Sequence, residues 1–376
     1  MCTNLLSKFQ KIKNCKLPNP PQDFLERITP IVREGGARNI VELANALKIP
    51  VETTRYKVKG MMKRGLVIYA SVDYEKFGLV NVEGNFFLSP KAQQQDKKFF
   101  QALAESCYLT SFGRVVPNNS YACSFTIPEN SQSDLRRLAR ILTEENLIIS
   151  SNLEDASLRR DYTIRPGYFH LKRGTWSIDW SRVRRHHAFI MQREKSKSNE
   201  QQFDDLDLKI TRQLEQDALI RLSDIAGSLK MTLNNIFYHF HKHILKERLV
   251  DGFGIRWNGN PRQEYIFAQY SFNNLSFAEE KNVQELFSKI PFLWSDAQSV
   301  DTGFYSAKAM VPTSQYLESL KYLSGELGET AKKLAVDLID PRTRQSFPIP
   351  SHLFKDGSWQ FDPEVSASKV ASKLKR

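Results

Sequence analysis

Apolar residues along this chain switch between a helical and a strand-like period, and they do so twice. Phe24, Leu25, Ile28, Ile31 and Val32 fall on one helical face, as do Leu206, Ile210 and Leu214. Each stripe is followed by a short helix, Val41–Leu47 or Ser223–Leu229, and a tight turn, "KIP" or "KMT". A longer helix comes next, Val51–Arg64 or Leu233–Lys246. Helix, short turn and helix is the arrangement whose second helix enters the DNA major groove. Beyond it, "LVIYASVDYEKFGLVNVEGNFFLSP" breaks into short alternating runs, which predict strands or a wing. "QQDKKFFQALAES" is amphipathic, "YACSFTIP" strand-like and "SQSDLRRLARILTEE" helical, while "LIISSN" and "RDYTIRPGYFHL" read as extended. The order is β-α-β-β-α-β, a ferredoxin-like unit. "EYIFAQYSF", "EEKNVQELFSKI", "YSAKAMVP", "QYLESLKYLSGEL" and "KKLAVDLID" repeat it.

The repetition extends to residue identities. Ala44, Leu47, Lys48 and Tyr56 recur 182 positions later as Ala226, Leu229, Lys230 and Tyr238. Trp176 and Trp359, in the shared "G-[TS]-W-x-x-D" turn, lie 183 apart and are read as packing anchors. The chain is a tandem duplication. The fold class expected is α+β: two copies of a (winged) helix-turn-helix domain, each followed by a ferredoxin-like α/β sandwich. The boundaries expected are a basic N-terminal tail (1–22), helix-turn-helix domain 1 (23–78), ferredoxin-like domain 1 (79–180) and a basic linker (181–204). Helix-turn-helix domain 2 (205–258), ferredoxin-like domain 2 (259–363) and a basic C-terminal tail (364–376) complete the chain. The two ferredoxin-like units are expected to pack on each other within one chain, giving a pseudo-dimer, with further self-association through them.

The segment "NNIFYHFHKH" carries His239, His241 and His243 at alternate positions. On a strand three imidazoles would converge, but Leu233, Ile236, Phe237, Phe240 and Ile244 form a helical stripe behind Thr232 as N-cap. On a helix only His239 and His243 share a side. No cysteine lies in this half of the chain to complete a Cys/His set, so no metal and no cofactor is expected.

Charge sharpens the picture. The net charge of the 376 residues is +12, which favours an anionic partner. Residues 1–80 hold 14 Lys and Arg against 7 Asp and Glu, whereas residues 206–260 hold 8 against 6. Four cysteines (Cys2, Cys15, Cys107, Cys123) show neither zinc nor redox spacing, in keeping with a reducing interior. The start lacks the apolar core of a signal peptide, and no run reaches a membrane span. The expectation is a cytoplasmic, nucleoid-associated protein with no membrane partner.

"LDLKITRQLEQDALIRLSDIAGSLKMT" resembles the first two helices of the leucine-responsive/AsnC family of transcription regulators, widespread in archaea. "GLVIYASVDYEKFGL" is similar to that family's connector from the recognition helix into the sheet domain. The resemblance implies a sequence-selective regulator of double-stranded DNA rather than an enzyme. Thr53, Arg55 and Tyr56 would reach base edges, and Lys57, Lys59, Lys63 and Arg64 the phosphates. In the second copy the candidates are Asn234, Asn235, Tyr238, His239 and Lys242. Around Gly113 and Gly303 the family's Gly-x-x-Asp step lacks its acid, which leaves a small-molecule effector unassigned. Siroheme decarboxylases resemble the family in architecture and form the alternative, with His170, His186, His187 and His352 available for recruitment. A weakly selective architectural DNA-binding protein is a third reading.

Overall fold

The computed structural model describes residues 24–33, 39–116, 118–183, 203–259, 264–299 and 301–375. The expected N-terminal tail and most of the linker lie outside them. Copy one opens with α1 (Phe24–Arg33), whose Leu25, Ile28 and Val32 are buried. It continues with α2 (Ile40–Leu47), capped by the Asn39 side chain, and α3 (Val51–Met62). The ferredoxin-like unit follows: β1 (Leu66–Val72) leads into β2 (Leu79–Leu88), α4 (Asp96–Ser106), β3 (Leu109–Val116), β4 (Tyr121–Pro128), α5 (Gln132–Glu144) and β5 (Ile148–Asp155), with β6 (Leu158–Asp161) after it.

Copy two repeats the plan with α6 (Asp205–Gln216), α7 (Leu222–Leu229) and α8 (Leu233–His239), which Thr232 caps as expected. Lys48 and Lys230 end α2 and α7 in the same left-handed conformation, φ 55° and 54°, so the two tight turns are alike in geometry as well as in sequence. One difference stands out: α8 runs on as a π-helical turn, Phe240–Leu245, where α3 stays α-helical to Met62. Then come β7 (Val250–Trp257), β8 (Tyr265–Phe272), α9 (Phe277–Ser288), β9 (Leu293–Gln298), β10 (Tyr305–Pro312), α10 (Thr313–Leu327), β11 (Leu334–Ile339), β12 (Gln345–Ser346) and α11 (Pro363–Lys375).

The connectors β1 and β7 pair antiparallel, from Leu66 opposite Trp257 to Val72 opposite Val250. Pairing equivalent strands this way relates the two helical units by a local two-fold. The remaining strands form one sheet in the order β5-β2-β4-β3-β11-β8-β10-β9-β6, with β12 beside β3. Each copy thus keeps a ferredoxin-like strand order, and the copies are joined where Val115 and Val116 pair with Ile339 and Leu338. A second join was not legible in the sequence. Strand β6 leaves copy one and pairs with β9 of copy two, Asp161 opposite Ser295 through Leu158 opposite Gln298.

Helices cover the outer faces of the sheet with large apolar side chains. Phe100 of α4 stacks on Phe112 of β3 at 4.1 Å, and Phe287 of α9 packs edge-on against Phe272 of β8. The expected basic C-terminal tail is corrected here: it is helix α11, packed on α4 and α5 of copy one with Ala367, Val370 and Leu374 buried. These residues recur at helical spacing, and the lysines that suggested a solvated tail occupy the other face, Lys373 pairing with Glu105 at 2.5 Å. Trp176 packs against Trp257 and Phe292, and Trp359 donates from Nε1 to the Phe77 carbonyl at 2.6 Å, so each tryptophan packs onto the other copy.

Cys107 and Cys123 are buried and unpaired with each other, and burial pushes the Cys107 thiol up to about 11 and that of Cys123 higher still. Brief iodoacetamide treatment of native protein, read by peptide mass spectrometry, should label neither until denaturant is added. Rapid native labelling at Cys107 would show that α11 does not seal α4. Among the described residues no helix is long and apolar enough to cross a membrane.

Candidate functional site

Strand alternation gives each half of the sheet a face away from its helices, and in both copies that face is polar. In β2 it carries Asn81, Glu83 and Asn85, between Val80, Val82 and Phe86. Such alternation ordinarily marks a solvated face. Here the two polar faces meet each other. Lys308 of β10 donates to Glu83 Oε2 at 2.5 Å and to Ser124 Oγ at 2.6 Å, and Asn85 donates to Asp337 Oδ2 at 3.1 Å, each across the copies. Glu83 is only 4% exposed.

Three arginines enter this interior. Arg159 of β6 lies 3.2 Å from Asp161 and 5.8 Å from the Tyr74 ring. Arg256 of β7 stands over Tyr69 and over Trp294, 4.6 Å from each ring centre. Arg344 stands over Phe267 at 4.7 Å and over Trp294 at 4.6 Å. Trp294 therefore carries two guanidiniums, a strong cation–π arrangement. Neither is paired with an acid: among the described residues Arg256 and Arg344 make no hydrogen bond or ion pair, although the Asp161 charge reaches Arg256, and Arg256 Nε is buried without a partner. Both residues are half-buried.

The electrostatics follow. Burial, then the charges of Arg256 and Arg159, lower Arg344 to about 9. Burial also lowers Arg256. Burial lowers Lys308 as well, and the Glu83 carboxylate only partly restores it. For Arg159 burial works the same way, but Asp161 and Tyr74 outweigh it and hold its proton more tightly. Four cations, Arg159, Arg256, Arg344 and Lys308, share this interior with the carboxylates of Glu83, Asp161 and Asp337. At neutral pH these groups carry their protons, and the positive charge that no acid pairs calls for an anion.

The residues expected at DNA are distributed unevenly. Thr53, Tyr56, Lys57, Lys59 and Lys63 are exposed on or beside α3, and Tyr56 reaches 81%. Arg55 is half-buried and paired with Glu52. Arg64 is committed to the fold, donating to the carbonyls of Gly60 (2.7 Å) and Lys172 (3.1 Å). In α8 and its π turn, Asn234, Tyr238 and Lys242 are exposed and Asn235 is half-buried. His239 is corrected: it is buried, and its Nδ1 lies 2.9 Å from Asp207 Oδ1, so it presents no ring to a groove. His243 Nδ1 meets the other oxygen of Asp207 at 2.9 Å, and Asp204 stands beside them, 3.8 Å from His239. The acids lie on α6 and at its cap, some thirty residues earlier. His170 and His352 are exposed on the surface, outside the arginine chamber, and His186 and His187 lie outside the described residues.

No known protein family matches this chain, and no curated protein does. Among solved structures, the siroheme decarboxylase NirDL covers 93% of this chain and 99% of its own, at 11% identity and TM-score 0.52. Its co-complex with an iron-uroporphyrin III analogue aligns equally well, at 12% identity and TM-score 0.52. An AsnC family transcriptional regulator from Agrobacterium tumefaciens covers 36% of this chain and 90% of its own, at 15% identity and TM-score 0.28. The likeness that spans both copies establishes an α+β fold of this tandem kind. It also corrects the expectation of a non-enzyme, because the scaffold matched from end to end is that of an enzyme.

Proposed function

We propose that the chamber between the two ferredoxin-like units is the functional centre, and that it binds and acts on a flat ligand bearing several carboxylates. The observation that carries the reading is the pair Arg256 and Arg344, held on Trp294 without an ion pair to any acid among the described residues. A guanidinium presents a planar fork suited to a carboxylate, and the rings of Trp294, Tyr69 and Phe267 supply flat apolar walls. The similar decarboxylase was solved with an iron-uroporphyrin III analogue, a carboxylated macrocycle, which makes that ligand class the first to try. Lys308, buried against Glu83 with its proton loosened by burial, is the candidate for delivering a proton to ligand carbon once a carboxyl group has left. Titration with uroporphyrin should shift the Soret band with one-to-one stoichiometry. Arg256→Met/Arg344→Met should weaken that binding at least thirtyfold. An unchanged spectrum, or equal binding by the double variant, would contradict the reading.

A second reading rests chiefly on α3: Tyr56, 81% exposed between exposed lysines, suits a DNA groove. The surplus of seven positive charges over residues 1–80, against two over residues 206–260, places the stronger phosphate attraction in copy one. Lys59→Ala should weaken binding to all DNA sequences and lower the magnitude of the salt slope by about one. Tyr238→Ala should alter preference at one half-site only. Binding insensitive to salt and to Lys59 would remove this reading while leaving the chamber untouched.

A further inference from the structure

We propose that Asp204, Asp207, His239 and His243 form a binding site for a divalent transition-metal ion of zinc's class. One ligand atom from each lies within 4.8 Å of the other three. Both imidazoles aim Nδ1 at the same carboxylate, at 2.9 Å to Asp207 Oδ1 and Oδ2, and Asp207 is fully buried. Two imidazole nitrogens with two carboxylates is a donor set for zinc and its neighbours, not for magnesium or calcium. Among the described residues neither carboxylate is paired with a lysine or arginine; the two acids are met by the imidazoles and by the reciprocal backbone N–H bonds that cap α6.

The duplication supplies an independent argument, because copy one shows what this scaffold needs without the cluster. Ile28 and Thr29 answer Ile210 and Thr211 at an offset of 182, which sets Asp207 opposite Leu25. Both positions are fully buried. A buried leucine suffices for packing, whereas a buried carboxylate is costly unless something charged or donating meets it. His239 stands opposite Lys57, which is exposed, yet His239 is turned inward. The offset is still 182 at Tyr56 and Tyr238 but 183 at Lys63 and Lys246, so copy two has one extra residue between them. That residue is accommodated by the π turn Phe240–Leu245, which contains His243. A π turn is the form a one-residue insertion takes in a helix, and such turns occur frequently at functional sites. Three departures from copy one, an acid for a leucine, a histidine for a lysine and an inserted turn, converge on one point. A hydrogen-bonded His-Asp-His contact alone leaves Asp204, the fourth member, without a role beyond capping α6 with Asp207.

With the ion bound, the two Nδ1 atoms and one oxygen from each aspartate become ligands, and protons are released on binding. The ion then ties α6 to α8 where copy one uses apolar packing. The test uses full-length protein freed of metal with chelator and titrated with Co²⁺, whose visible bands in a low-symmetry site report inner-sphere coordination. The wild type and His241→Ala, whose imidazole is exposed outside the cluster, should each take up one equivalent. Asp207→Leu, which restores the residue of copy one, and His243→Ala should each bind at least tenfold more weakly while keeping the wild-type circular dichroism. If Asp207→Leu fails to fold, His243→Ala decides. No visible bands in the wild type, binding undiminished in His243→Ala, or loss of binding in His241→Ala would overturn the proposal.

Discussion

Asp296→Ala should destabilise the protein by about 3–5 kcal/mol, the cost of leaving buried polar partners uncompensated. Asp296 is fully buried and accepts four hydrogen bonds: from Arg160 Nε (2.7 Å) and Nη2 (2.9 Å), Tyr162 OH (2.9 Å) and Tyr305 OH (2.8 Å). Burial and the neighbouring Asp296 charge hold both phenols far above their usual range, so they remain donors at any workable pH. Arg160 lies in β6 and Asp296 in β9, which makes this ion pair the anchor of the strand that crosses from copy one to copy two. Removing the acid strands a guanidinium and two hydroxyls in the interior. Urea denaturation of Asp296→Ala should show a large fall in midpoint, with Asp296→Asn between it and wild type. A loss below about 1 kcal/mol would mean that the crossing strand is not held by this pair.

Arg344→Met should do two opposite things. The side chain lies on Phe267 and Trp294, contacts that methionine keeps, while an unpaired buried cation is removed. Replacing buried charge by apolar volume is commonly neutral or stabilising by about 1–4 kcal/mol, so the ligand-free variant should melt at or above the wild-type temperature. The sign follows from the depressed proton affinity. Between about 9 and the ordinary guanidinium range, the unfolded chain binds this proton and the folded chain disfavours it. The penalty from Arg344 is therefore fully present below about pH 9 and eases only as pH rises beyond it. The same substitution should weaken a carboxylated ligand by roughly thirtyfold or more, the loss of a charge-assisted pair. Stability gained together with binding lost is the signature of a cation kept for its ligand. A variant that loses both would make Arg344 a structural residue.

The tandem plan was legible in the sequence because it rests on periodicity, and periodicity is a local property. Phe24, Leu25, Ile28 and Val32 marked a helix whose buried face they indeed form. What stayed hidden depends on contacts between distant elements. Asn81, Glu83 and Asn85 alternate with apolar residues as an exposed strand would, and only the meeting of the two sheets buries them. Arg256 follows the strand segment "VDGFGI", and nothing local signals that it will share Trp294 with Arg344, 88 positions later. The metal cluster was missed for the same reason: His239 and His243 were placed correctly on one side of a helix, but Asp207 lies on another. A signal was nonetheless available. Aligning the copies puts an aspartate at the fully buried position of Leu25, and a charged residue in a core slot points to a partner.

The most direct test of the chamber is a crystal structure of the protein grown with a carboxylated porphyrin. The ligand should lie between the two ferredoxin-like units, with carboxylate oxygens within hydrogen-bond distance of Arg256 and Arg344 and the macrocycle against Trp294. A ligand bound outside the interior, or an interior in which both guanidiniums still lack an anion at saturating ligand, would contradict the account.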